Sequence, residues 1–231
     1  MKQNGKFILM NRDELKNYIE RLKNVKVFTN IQQHHTASPA YKDVKDNHFA
    51  LMKSMENYHV NSLKMSEIAQ HFSTFPDGSV CVGRPLIKDG GGFLGTLNKN
   101  SITIENVGNF DSDVMTEEQK KSIILLNALL CIKFNIVPSV DTLIYHCWVQ
   151  NKTCPGLKWF GGTSKSAAAN NFIPLIAAAI ASEKKIKTAE QAIEWLVSKG
   201  AINSPEYWLS MIKEVKYLDS LLINITNIWK G

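Results

Sequence analysis

The feature that most constrains this chain is an alternation of strand-like and helix-like segments that continues to about residue 183. Helices are predicted for 12–24, 46–61, 116–134 and 167–181; in the first of these, Leu15, Tyr18, Ile19 and Leu22 recur at spacings of three and four. Alternating or β-branched patterns predict strands at 25–33, 71–75, 80–83, 101–107 and 142–145. Interleaving of this kind indicates an α/β sandwich.

The pattern changes after Ser182-Glu183-Lys184-Lys185. Residues 188–199 and 205–228 predict two helices, joined by a short segment that begins with Gly200. We therefore predict one domain over residues 1–184 and a small α-helical C-terminal module over residues 185–231.

The charge of the chain indicates attraction to polyanions of some kind. Its 27 basic residues exceed its 21 acidic residues, and the formal net charge is +6. Nucleic acid, anionic lipid headgroups and wall teichoic acids all fit such an excess. Only Arg12, Arg21 and Arg84 supply the guanidinium group that commonly reads bases and clamps phosphates, so we expect no nucleic-acid partner.

Nothing in the sequence predicts membrane insertion or secretion. The apolar run Phe7–Met10 is too short for the core of a signal peptide, and the run at 172–181 contains Pro174 and is too short to span a bilayer. We expect synthesis in the cytoplasm without a signal peptide. Four cysteines in a chain of this length favour metal ligation or burial over a disulfide scaffold.

Three separated pieces of sequence carry metal-binding side chains. The pair His34-His35 ends the first predicted strand, His146 follows the strand at 142–145, and Cys154 comes eight residues later. Imidazole and thiolate are preferred ligands of Zn²⁺, and two histidines with one cysteine leave a fourth position open, as in catalytic sites. The spacing alone is no fixed zinc signature, and structural histidines remain the alternative.

The wider pattern places these residues among blocks of a known family. The blocks are His34-His35-Thr36-Ala37-Ser38, Ser66 through Phe72, Phe75-Pro76-Asp77-Gly78, Gly83-Arg84-Pro85-Leu86, Ser101 through Asp111, and His146 through Gly156. In this order they resemble the zinc-dependent type-2 N-acetylmuramoyl-L-alanine amidases, which are related to peptidoglycan recognition proteins and phage lysins. The resemblance covers roughly residues 25 to 180 and implies a central mixed β-sheet flanked by helices.

The resemblance also implies a ligand set for Zn²⁺. His34, His146 and Cys154 match the first, second and third metal ligands of the family. Neighbouring side chains on a strand point to opposite faces, so we expect His35 to be turned away from the metal. By the same alternation, Cys147 is expected to be buried rather than to bind the ion.

Two further residues match positions that assist the reaction in this family. Glu105 is expected to shuttle the proton during metal-assisted hydrolysis, and Lys152 to support the oxyanion. The alternatives are a strand-edge carboxylate and a solvated loop lysine. Several relatives carry a catalytic tyrosine where this chain has Gln70, which shifts weight to Glu105, although glutamine can still donate a hydrogen bond.

The implied activity is hydrolysis of the lactyl amide between N-acetylmuramic acid and L-alanine of peptidoglycan. The setting we expect is a phage or prophage endolysin that reaches the Gram-positive wall after release, with an exported bacterial autolysin as the alternative. A non-catalytic peptidoglycan-binding protein is the rival function. The C-terminal module contains five aromatic residues, Trp195, Tyr207, Trp208, Tyr217 and Trp229. We expect them to bind wall polymer such as teichoic acid, to pack into a core, or to support a homo-oligomer.

Overall fold

A seven-stranded mixed sheet forms the centre of the first part of the chain in this computed structural model, which describes residues 1–93 and 95–230. The strands are β1 (Lys2–Asn4), β2 (Phe7–Met10), β3 (Asn30–His35), β4 (Phe72–Thr74), β5 (Val80–Val82), β6 (Ser101–Asn106) and β7 (Leu143–Tyr145). Their spatial order is β1-β2-β5-β4-β6-β3-β7. Strands β4, β6, β3 and β7 are parallel neighbours, whereas β1, β2, β5 and β4 pair antiparallel.

Helices cover both faces of this sheet, which confirms the predicted α/β class with a mixed sheet. On one face pack α1 (Arg12–Arg21), α3 (Glu117–Phe134) and a segment made of α4 (Lys165–Ala167), one π-helical turn and the start of α5 (Ile173–Lys184). On the other face lies α2 (His48–Asn61), whose Met52 and Met55 pack with Cys81. Alternation along β5 explains this division, because Val80 and Val82 point to the first face and Cys81 to the second.

Local sequence signals set several element boundaries. Thr116 caps α3 at the start of the predicted helix, and its hydroxyl accepts a hydrogen bond from the backbone N–H of Gln119. The turn that contains Pro76, Asp77 and Gly78 joins β4 and β5, which were both predicted as strands, into an antiparallel hairpin. Gly78 adopts a φ of +84°, a conformation that glycine enters without steric cost.

The first predicted strand was placed too early. The alternating residues at 25–29 form no strand, and β3 begins at Asn30, where Ser101 of β6 and, one residue later, Leu143 of β7 become available as partners. A strand exists only where neighbours complete its backbone hydrogen bonds, so the alternation at Val25 and Val27 leaves both side chains exposed. The hairpin β1–β2 was not predicted at all.

The chain folds into two compact units, Met1–Ile180 and Ala181–Gly231. The second unit contains α6 (Ala189–Ser198), α7 (Pro205–Glu214) and α8 (Leu218–Lys230). One helix was predicted over 205–228; the chain instead breaks at Val215, which is extended, and at Tyr217, whose φ is +65°. This break lets α7 and α8 both pack against α6 around Ile193, Leu196 and Leu222. Among the described residues, no helix combines the length and apolarity that a bilayer crossing requires.

Candidate metal and active site

The parallel strands β6, β3 and β7 have their carboxyl ends at the same edge of the sheet, and the candidate site lies at this edge. His34 on β3 stands beside Glu105 on β6 in the strand register. His146 directly follows β7, whose Tyr145 pairs with Gln33. In open α/β sheets the crevice beyond the carboxyl ends of parallel strands is where ligands bind, so the topology gathers these groups at the expected place.

The structure brings His34, His146 and Cys154 together into one buried cluster. The Nδ1 atoms of the two histidines lie 3.0 Å apart, and Sγ of Cys154 lies 3.7 Å from Nδ1 of His34. One donor atom from each residue falls within 4.8 Å of the other two. All three residues are buried, with 3% of His34, 7% of His146 and 8% of Cys154 exposed.

The loop that carries Cys154 is held by hydrogen bonds at both ends. The N–H of Cys147 donates to the carbonyl of Cys154 at 2.7 Å, and the Asp111 carboxylate accepts from the Thr153 hydroxyl and the Leu157 N–H. Gly156 has a φ of +115°, and a Cβ there would come within 2.6 Å of the Phe110 backbone. The loop therefore packs so closely on the 110–111 segment that the thiol has a fixed position.

The two residues adjacent to the histidines take other roles. Nδ1 of His35 accepts a hydrogen bond from the backbone N–H of Phe110, while the backbone N–H of His35 donates to Sγ of Cys154 at 3.4 Å. The His35 ring thus points away from the His34 face of β3 and holds the segment at Phe110. Cys147 is half-buried, and its sulfur contacts the carbonyl of Thr163 rather than the histidine cluster.

The ionised forms of the cluster are electrostatically unfavourable as the chain stands. Burial, reinforced by the neighbouring His146, holds the pKa of His34 well below its ordinary value, and burial also lowers the pKa of His146. Burial and the nearby Glu105 carboxyl raise the pKa of the Cys154 thiol far above its ordinary value. Two neutral imidazoles beside a thiol are a donor set that fits a soft or borderline divalent cation such as Zn²⁺, whose charge would favour the thiolate.

Glu105 and Lys152 both line the cleft that opens over this cluster. The cleft has a volume of about 940 Å³ and is also bordered by His59, Arg84 and Gln150. Burial raises the pKa of Glu105 to about 8, and the positive charge of Lys152 acts against this rise. Lys152 is exposed on the cleft rim and also lowers the pKa of His34 and His146.

Gln70 does not reach the cleft. Its side chain is fully buried, and its amide nitrogen donates to the hydroxyl of Ser73 at 3.0 Å and contacts the sulfur of Met55. The Gln70 amide therefore donates its hydrogen bond inside the protein and not to a substrate in the cleft. Of Gln70 and Glu105, therefore, Glu105 is the one that lines the cleft.

Sequence reasoning missed several residues that surround the histidines. Gln32 and Gly92 lie next to Nε2 of His34, and the Phe93 ring lies 5.2 Å from the His34 ring and 5.5 Å from the His146 ring. The alternation of β3 could have placed Gln32 on the His34 face, because residues two apart on a strand share a face. No local signal points to Gly92 or Phe93, which come from a remote loop.

The chain is similar to one protein family and to several solved structures. A family model described as N-acetylmuramoyl-L-alanine amidase matches residues 24–157. Among solved structures, the endolysin amidase LysCS from Clostridium intestinale is 29% identical, covering 58% of this chain and 79% of its own, with a TM-score of 0.47. A Drosophila PGRP-LB mutant in complex with tracheal cytotoxin is 21% identical, covering 62% and 82%, with a TM-score of 0.53.

A bumblebee PGRP-SA structure is 23% identical over 64% of this chain and 83% of its own, with a TM-score of 0.51. At such identities the two recognition proteins show a shared fold and no more. No curated protein matches the sequence. The family model, however, spans more than half of the sequence and contains His34, His146 and Cys154. This chain therefore belongs to the N-acetylmuramoyl-L-alanine amidase family.

Proposed function

We propose that this chain is a zinc-dependent amidase that hydrolyses the lactyl amide between N-acetylmuramic acid and the L-alanine of the peptidoglycan stem. The observation that carries the proposal is the convergence of three donor atoms within 4.8 Å at the floor of a large cleft. Family membership supports amide hydrolysis as the reaction class.

His34, His146 and Cys154 would hold the ion. Zn²⁺ bound there would polarise the amide carbonyl and acidify a water molecule. Glu105 lies beside His34 in the strand register and faces the same cleft, so its carboxylate would accept the proton from the attacking water. It would then return that proton to the leaving amine of L-alanine, a transfer that is most efficient when the pKa lies near the working pH.

Lys152 would contribute positive charge at the cleft rim. Two observations support this role: Lys152 lines the same cleft as Glu105, and its positive charge lowers the pKa of Glu105, His34 and His146. A cation at this position stabilises the negative charge that develops on the carbonyl oxygen during attack. Because Lys152 is exposed, its contribution is smaller than that of a buried donor.

The shape of the cleft supports an extended substrate. A second groove of about 840 Å³ continues from it and shares Thr36, Ala37, His59 and Glu105 with the first. Tyr58 on α2 borders this continuation. A glycan with a branching stem peptide needs such a long groove with the cleaved bond near its middle, and Glu105 stands at the junction of the two parts.

The biological setting that we propose is an endolysin of a phage or prophage acting on Gram-positive walls after release. The net charge of +6 supports attraction to anionic wall polymers such as teichoic acid. We propose residues 185–231 as an accessory module that binds the wall or joins two copies of the chain. Trp195 and Trp208 of this module pack against its core, whereas Tyr207, Tyr217 and Trp229 are exposed.

A peptidoglycan-binding protein without catalysis is the second candidate, and the shared fold of the recognition proteins favours it. Cys154 separates the two candidates, because recognition proteins that only bind lack this ligand. In this chain Cys154 is buried and lies beside His34. The complete donor set therefore favours the enzyme.

The test is hydrolysis of purified Gram-positive cell walls, scored by the new N-terminal alanine that appears. We expect alanine termini to form, to disappear after chelation, and to return when Zn²⁺ is added. Wall binding that yields no new termini, with or without Zn²⁺, would establish the recognition protein instead.

A further inference from the structure

We infer that Gln32 is a positioning residue that holds His34 in the orientation and tautomer that metal binding requires. The inference rests on the proposed metal site and adds a residue that neither the motif nor the ligand set contains. Gln32 precedes His34 by two residues on β3, so both side chains project from the same face. The Gln32 side chain is completely buried, which makes its hydrogen bonds costly to lose.

The geometry assigns different partners to the two nitrogens of His34. Nδ1 faces Nδ1 of His146 and Sγ of Cys154, whereas Nε2 lies 3.4 Å from Oε1 of Gln32. An amide oxygen only accepts hydrogen bonds, so it selects the imidazole tautomer with its proton on Nε2. That tautomer leaves the lone pair of Nδ1 directed at the place where the three donor atoms meet.

The amide of Gln32 is itself fixed in the required orientation. Its nitrogen donates to the carbonyl of Leu97 at 3.0 Å, and a carbonyl can only accept. Its oxygen receives a second hydrogen bond from the hydroxyl of Thr103 at 3.2 Å. The Leu97 carbonyl excludes the flipped amide, in which the amide oxygen would face that carbonyl while the N–H₂ group faced His34 and favoured the other tautomer.

The loop at 91–93 closes the outer side of this contact. A Cβ on Gly92 would collide with both Nε2 of His34 and Oε1 of Gln32, so only glycine fits against the pair. The Phe93 ring packs on the same imidazole, and its backbone N–H is held by Asn98. Water therefore has little room to replace Gln32 as the partner of His34.

Outer-shell partners of ligand histidines raise ligand basicity and fix the ring, and their loss weakens metal binding by about 10–100-fold. The experiment compares Gln32→Met with Gln33→Met in the full chain. Gln33 is the matched control, because it is equally buried on β3 and its amide also donates a hydrogen bond, at 2.6 Å to Asn127 on the opposite face. Two readouts are measured: the Zn²⁺ dissociation constant by competition with a chelating dye, and the His34 tautomer by nitrogen NMR of the metal-free protein.

We expect Gln32→Met to weaken Zn²⁺ binding about 10–100-fold and to populate the tautomer protonated on Nδ1. Gln33→Met should leave Zn²⁺ affinity within about twofold, although both variants lose a buried hydrogen bond. If Gln32→Met does not fold, Gly92→Ala displaces the same contact from the outside and should weaken Zn²⁺ binding in the same direction. Unchanged affinity and tautomer in a folded variant, or equal loss in the control, would overturn the inference. Failure of the wild-type chain to bind Zn²⁺ would instead overturn the proposed metal site.

Discussion

Two clusters of buried or half-buried ionisable groups lie in the first unit, and they differ in whether the chain supplies its own counter-charges. In the first cluster, Lys6 bridges Glu56 and Glu67, Lys53 also contacts Glu56, and Lys88 also contacts Glu67. Burial acts to raise the pKa of both carboxyls, but the hydrogen bonds and charges of the lysines outweigh it and lower both pKa values. The lysines of this cluster therefore supply the counter-charges of both carboxylates.

The second cluster, formed by His34, Glu105, His146 and Cys154, has the opposite character. The pKa of each group is shifted toward its neutral form, with Glu105 at about 8. Lys152 supplies positive charge nearby, but it stands exposed at the rim. In a structural ion-pair network the protein supplies both charges, whereas ionisable groups at a ligand site often have strongly shifted pKa values. This contrast fits the proposed zinc site, because the positive charge of Zn²⁺ would favour the ionised forms of Cys154 and Glu105.

Removing a proposed ligand should have the largest effect. We expect Cys154→Ser to abolish zinc-dependent wall hydrolysis and to weaken Zn²⁺ binding by more than about 100-fold, beyond the loss expected for an outer-shell partner. Cys147→Ser is the matched control, since its sulfur contacts Thr163 and not the histidines. Hydrolysis assays and metal analysis check both variants; equal loss in the two would contradict the ligand assignment.

Glu105→Gln should separate binding from chemistry. We expect wall hydrolysis to fall by about 10²–10⁴-fold, the usual range for loss of a general acid–base group, while Zn²⁺ remains bound. Metal content and the rate of alanine release, measured on one preparation, check this. Full activity in the variant would assign proton transfer to another group.

The same variant tests the charge imbalance through pH. The pKa of Glu105 is about 8 in the folded chain against an ordinary 4.5, so the folded state binds more protons between these values. The unfolding free energy of the metal-free wild type should therefore contain a contribution that is present below pH 4.5 and lost as pH rises toward 8. The wild-type minus Glu105→Gln difference in unfolding free energy isolates it, because the histidines act equally in both. A difference that is constant with pH would contradict the raised pKa.

Lys152→Met should have a smaller effect on the rate. Loss of a well-placed oxyanion donor costs about 10²–10³-fold, and an exposed lysine should fall below this, at roughly tenfold to a hundredfold. Lys120→Met is a suitable control, because Lys120 is a lysine of α3 that pairs with Glu117. Equal rates for the two variants would reduce Lys152 to a solvated loop residue.

A change in the cluster of Lys6, Glu56 and Glu67 should lower stability without affecting hydrolysis. Glu67→Gln removes the carboxylate that Lys6 and Lys88 share, and we expect about 1–2 kcal/mol less unfolding free energy. Zn²⁺ affinity and hydrolysis should change by less than about twofold. Denaturant unfolding and metal titration check the two parts, and weakened Zn²⁺ binding would show that the clusters are coupled.

The contrast between local and remote signals explains how much of this could be predicted from the sequence. The fold class and most helices follow from local periodicity and capping, as at Thr116. The start of β3 depends on Ser101 and Leu143, which are remote in sequence, and alternation at 25–29 therefore misled the prediction. The break of the last predicted helix depends on packing within the second unit, which periodicity does not encode.

The candidate site divides in the same way. Family blocks pointed to His34, His146 and Cys154, which the structure brings together. Gln70 lies in an irregular segment, where no periodicity fixes the direction of a side chain, and it turns into the core. Gln32 shares a face with His34 by simple alternation, yet its function depends on Thr103 and Leu97, which only the tertiary structure supplies.

The proposed zinc site is tested most directly by calorimetric titration of Zn²⁺ into the metal-free chain, repeated in buffers of different ionisation enthalpy. Ligands must be deprotonated to bind, and the pKa of Cys154 is raised, so we expect one Zn²⁺ per chain with release of at least about one proton at neutral pH. The proton release should disappear together with tight binding in Cys154→Ser. Absence of binding, or binding with no proton release, would contradict the proposed zinc site.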